Sequence, residues 1–123
     1  MFGLVVTTKN EMSLVVYDPP NYDVIKKAVG GWYEHVHPNG LQPPYCMMVN
    51  EEGRLMNLPV NLLGSVLYGT PWHGQPIVGN IVFLKDGYHD GEPDVVGMSK
   101  EDAEMLGEKF REMSGGITHW TNN

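Results

Sequence analysis

Two short apolar runs open the chain, Phe2 to Thr7 and Met12 to Tyr17, separated by the polar Lys9-Asn10-Glu11. β-Branched and apolar runs of this length around a polar break predict a hairpin. The period then changes. Tyr22, Ile25, Lys26 and Val29 fall at helical spacing between Asp18-Pro19 and Gly30-Gly31, so a short helix is expected, capped by Asp18, opened by Pro19 and stopped by the glycines. Trp32 to His37 alternates as an extended strand. Tyr45 to Asn50 and Arg54 to Leu58 flank Glu51-Glu52-Gly53 and predict a second hairpin, with Gly53 supplying the turn. Asn61 precedes Leu62, Leu63, Val66 and Leu67 and is placed to cap a short helix ending at Gly69. Ile77 to Leu84 reads as a strand with a bulge at Gly79-Asn80. The final element is a longer helix, capped by Ser99, with Ala103, Leu106, Phe110 and Met113 on the face that docks on the sheet. Glu101, Glu104, Glu108 and Glu112 fall on the opposite arc and turn to solvent.

These elements imply an α+β fold, an antiparallel bent sheet of about five or six strands with two short helices and a longer C-terminal helix packed on it. The 123 residues suit a single domain, 1–123, with 114–123 read as a flexible tail. An apolar fraction of 41% can supply one core, and a charged fraction of 19% is too low for a disordered chain. Cys46 is the only cysteine and lies in the apolar run Tyr45–Val49, so it reads as a small buried core residue in a reducing compartment. The run Met1 to Val6 lacks the basic start and length of a signal peptide, and no apolar stretch approaches the ~20 residues a membrane helix needs. A soluble cytoplasmic protein is expected. Open sheet edges leave room for a homodimer, although no residue demands one.

Charge changes this picture in one place. Asp86, Asp90, Glu92, Asp94, Glu101, Asp102, Glu104 and Glu108 face only one base between them, Lys100, so residues 86 to 108 carry the whole net charge of −7. That asymmetry argues against nucleic acid as a partner and for a cation or a basic protein surface. The outward glutamates Glu101, Glu104 and Glu108 are therefore candidate partner contacts. So are Trp72 and His73, which sit in the polar loop Thr70–Pro76, since exposed loop aromatics often anchor binding. Trp72 together with Arg54 and Lys85 is a candidate seat for a small anionic ligand, provided the two bases reach one concavity.

Chemistry beyond binding has thin support. His35 and His37 are two apart on one strand and share a face, a usable geometry for two metal ligands, but no third ligand is identifiable. Asp90, Glu92, Asp94 and Glu101 mimic the spacing of a calcium loop. Val95 stands where the essential glycine belongs, and Pro93 stiffens the segment. There is no G-x-x-x-x-G-K-[ST] loop, no G-x-G-x-x-G, and no nucleophile elbow around Ser65, while His119-Trp120-Thr121 is half of a paired His-x-Thr signature with no second copy. No catalytic residue and no cofactor are assigned.

Val49-Asn50-Glu51-Glu52-Gly53-Arg54-Leu55, then Leu58-Pro59-Val60-Asn61, Leu67-Tyr68-Gly69 and Ile77-Val78-Gly79-Asn80, form an ordered set of short motifs. Val29 to Glu34 and Gly91-Glu92-Pro93-Asp94 extend it, so that the whole covers roughly residues 20 to 110. The set resembles the V-N-E-E-G-x-L-x-x-L-P-x-N core of an uncharacterised family of small phage- and plasmid-encoded proteins, a domain of unknown function. The resemblance implies an accessory protein of the host cell cytosol and carries over no catalytic residue. Binding to a host protein, as an inhibitor of a host or defence function, is the expected role. A small-ligand binder such as a nucleotide-signal sponge is the alternative, and a metal-dependent enzyme a third.

Overall fold

The protein, described by a computed structural model over residues 1–70 and 75–121, folds around one mixed, largely antiparallel sheet. Its strands are β1 (Phe2–Val6), β2 (Glu11–Val16), β3 (Tyr33–Val36), β4 (Tyr45–Asn50), β5 (Ile81–His89), β6 (Glu92–Val96) and β7 (His119–Trp120). The helices among the described residues are α1 (Asp23–Val29), α2 (Leu62–Tyr68) and α3 (Lys100–Met113). The sheet order is β3-β4-β5-β1-β2-β7, and β6 pairs with the far half of the long β5. Among the described residues only the β2–β7 pairing is parallel. The α+β class expected from the sequence is the class observed.

β4 and the first half of β5, residues 81–84, are apolar at nearly every position because both of their faces are covered. Met47, Val49, Ile81 and Phe83 join Leu63 and Leu67 of α2 and Ala103, Leu106 and Phe110 of α3 in one core. Cys46, Met48, Val82 and Leu84 point the other way and meet Ile25 and Val29 of α1, with Tyr17 and Val95. Helices thus lie on both faces of the sheet. Phe110 is fully buried against Phe83, with ring centroids 4.7 Å apart, and burial of such a ring contributes roughly 2–3 kcal/mol.

The β1–β2 hairpin, the Asn61 cap on α2 and the Ser99 cap on α3 form as the sequence predicts. Elsewhere tertiary context wins. Asp18 does not cap α1; its carboxylate binds the N-terminal amine at 2.9 Å, and the helix starts at Asp23 with no side-chain cap. Residues 51–57 form turns instead of a strand, since β4 already spends both edges on β3 and β5 and Asn50 Oδ1 captures the Glu52 amide at 2.8 Å. β5 begins only at Ile81, while Val78 makes an isolated bridge to Val60.

The acidic segment after Tyr88, read as a loop, is the β5–β6 hairpin. Asp90 (φ 50°) and Gly91 (φ 79°) make the Asp-Gly turn that the right-handed twist of two strands favours. A calcium loop is thereby excluded, because Glu92, Pro93 and Asp94 are committed to β6. Met113, expected on the docking face of α3, is half exposed, whereas Gly107 is buried there. Residues 114–121, read as part of a tail, are laid on the sheet: Thr118 is buried, and His119–Trp120 extend β2 in parallel. Trp120 fits over Gly107, whose missing Cβ makes room for the indole.

Candidate functional site

Among the described residues, three neighbouring strands bring together a group of chemically capable side chains. In the register His35 lies opposite Met48, and Cys46 opposite Leu84, so strand alternation puts His35, His37, Cys46 and Asp86 on the α1 face. His35 belongs to β3, the outermost strand on its side of the sheet, and His37 follows one residue beyond its end. Asp86 receives both rings. Its Oδ1 lies 3.0 Å from His35 Nε2 and its Oδ2 2.6 Å from His37 Nε2. The ring centroids are 4.5 Å apart. Beneath them the Cys46 thiol is buried, and ligand atoms of His35, Cys46 and Asp86 all lie within 4.8 Å of one another. Burial, then the Asp86 charge and a hydrogen bond to it, push the thiol well above its ordinary pKa, so it stays protonated and is a poor nucleophile as it stands.

Two open grooves meet at His35. The first, about 750 Å³, runs past His37, Asn50 to Leu55, Tyr68 and Gln75 to Val78. The second, about 600 Å³, is lined by Tyr22, Tyr33, Tyr88, Asp86 and Asp94. There the Tyr22 hydroxyl donates to Asp94, a bond that holds the phenol above its usual pKa. Arg54 lines the first groove beside Glu34, Glu51 and Glu52. Lys85 instead reaches Asp102 on α3 at 3.0 Å, and none of the grooves described here is lined by both bases.

The acidic stretch is divided by the fold. Asp86 is held by the histidines, Asp94 by Tyr22, and Asp102 by Tyr45 and Lys85. Burial alone would raise the Asp102 pKa, but the Tyr45 hydroxyl and the Lys85 ammonium outweigh it and hold it low. Glu101, Glu104 and Glu108 are exposed on α3, as expected, and Glu108 accepts the Trp120 indole N–H at 2.8 Å. Met105, 72% exposed, lies among them. Trp72 and His73 lie outside the described residues.

A family model for a domain of unknown function, DUF3846, matches residues 1–111. The chain belongs to this family. Neither a curated protein nor a solved structure matches it. Among the described residues of this DUF3846 protein, no helix is long and apolar enough to cross a membrane.

Within the DUF3846 chain, the sequence identified two members of the histidine cluster and missed two. In the sequence Asp86 is one acid among eight in its segment, and Cys46 sits in an apolar run that points to core packing. A pattern was available in principle, since residues 35, 37, 46 and 86 have the parity that β3, β4 and β5 need to share a face. Applying it required the strand order and register, which forty residues of intervening chain conceal.

Proposed function

We propose that this DUF3846 protein is a small phage or plasmid accessory protein that acts in the host cytosol by binding a basic surface of a host protein, inhibiting a host or defence function. The observation that supports this reading is the outer face of α3. Glu101, Glu104 and Glu108 are exposed along it with Met105 among them, and among the described residues no lysine or arginine forms an ion pair with these glutamates. Opposite charge on a partner would steer encounter, while an exposed methionine offers an adaptable apolar anchor. The loop carrying Trp72 and His73 is the second expected contact, on sequence grounds.

The test starts with affinity capture from host lysate and continues with the purified captured protein, reconstituted with the parent and with E101K/E104K. Those two glutamates are preferred because Glu108 also holds Trp120. The expected result is an association rate lowered by roughly tenfold or more and a parental affinity that falls as salt rises. A complex indifferent to both the charge reversal and salt would overturn the reading.

A further inference from the structure

The geometry points to a binding site for a borderline-soft divalent transition metal of the zinc class, made by His35, Cys46 and Asp86 with His37 as the fourth donor. The donors come from three adjacent strands and converge: His35, Cys46 and Asp86 offer ligand atoms within 4.8 Å of one another, and His37 Nε2 lies 2.6 Å from the same carboxylate. Imidazole, thiolate and carboxylate are the ligand types that zinc takes, whereas calcium and magnesium prefer an all-oxygen shell.

Charge supplies the second argument. Both histidines turn Nε2 toward one carboxylate, so without an ion each must carry its proton there to avoid setting a lone pair against an anion. The thiol is buried beside the same carboxylate. A divalent cation resolves all of these constraints together. It takes the imidazole lone pairs, replaces the thiol proton, and balances one thiolate and one carboxylate to zero net charge. The thiol step is M²⁺ + Cys46–SH → M²⁺–S⁻ + H⁺. Any proton held by an imidazolium leaves as well, and no electrons are transferred. Asp86 and His37, 41% and 58% exposed, leave an entry path from solvent.

Such an ion would join β3, a four-residue edge strand, to β4 and β5, and would sit where the two grooves meet at His35. The site is independent of the acidic face of α3.

The experiment titrates tag-free protein with Co²⁺, a spectroscopic stand-in for zinc, and then with Zn²⁺. The expected result is saturable binding of one ion per chain, with release of at least one proton as the metal-free protein takes up the ion, and with visible tetrahedral bands and a sulfur-to-cobalt charge-transfer band that zinc abolishes by displacing the cobalt. Melting temperature should rise with zinc concentration. C46S should lose the charge-transfer band, and H35Q/H37Q, changed at the exposed rim and so compatible with folding, should weaken cobalt binding by at least tenfold. Absence of a saturable spectrum, or a spectrum and stoichiometry unchanged in both variants, overturns the site. Binding that never develops the charge-transfer band also overturns it, since Cys46 would then not be a ligand.

Discussion

Asn61 is fully buried at the start of α2, and its side chain satisfies three backbone groups from three parts of the fold. Its Nδ2 donates to the carbonyls of Val6 and Gly79, each at 3.0 Å, and its Oδ1 accepts the Gly64 amide at 3.1 Å. In Asn61→Ala all three partners remain buried and lose their bond. Loss of the cap costs about 1 kcal/mol, and each of the two stranded carbonyls costs about 1–3 kcal/mol, so a destabilisation of roughly 3–7 kcal/mol is expected. For a domain of this size that is a large part of a total of about 5–15 kcal/mol. Urea unfolding followed by far-UV circular dichroism reads it directly: with a slope near 2 kcal/mol/M, the midpoint should fall by about 1.5–3.5 M at unchanged slope. Asn61→Asp separates the roles. It keeps the acceptor for Gly64 but sets an anion against two carbonyl oxygens, so at neutral pH it should be no more stable than Asn61→Ala. A loss below about 1 kcal/mol in Asn61→Ala, or an aspartate variant as stable as the parent, would refute the view that this side chain ties α2 to β1 and to the Gly79 turn.

Other expectations follow from single contacts. Because the folded Asp102 carboxyl is held below its ordinary pKa, it contributes stability above the unfolded value, and that contribution disappears as pH falls through the folded value. Asp102→Asn should therefore flatten the acid limb of a stability–pH curve, and an unaltered limb would contradict the pairing. Tyr45, raised to about 12 by its bond to Asp102, then by burial and by the Asp102 charge, contributes stability below pH 10 that is lost as pH climbs toward 12. Spectrophotometric titration should show that phenol returning toward 10 in the same variant. Gly107→Ala would place a Cβ 2.4 Å from Trp120 Cζ2, so the indole must move and give up Glu108. In a background where Trp120 is the remaining tryptophan, its emission should shift to the red. Overall stability should change by less than about 1 kcal/mol, because alanine regains helix propensity.

What the chain determines by itself is local: hairpin β1–β2, the asparagine and serine caps, the stop of α1 at Gly30, which takes φ 84°, and the apolar stripe of α3 through Ala103, Leu106 and Phe110. Each depends on residues a few positions apart, where periodicity and capping chemistry act directly. The Asp90-Gly91 turn is equally local, but the acids around it mimic ion-ligand spacing and mask its backbone signal. Tertiary structure alone decided that residues 51–57 stay out of the sheet, that the tail docks on β2, that His35, Cys46 and Asp86 gather, and that His37 joins them through Asp86. The physical reason is the same in each case. Pairing partners, edge availability and register are set by contacts distant in sequence, and a shift of one residue along β4 or β5 would have sent Cys46 and Asp86 to the opposite face.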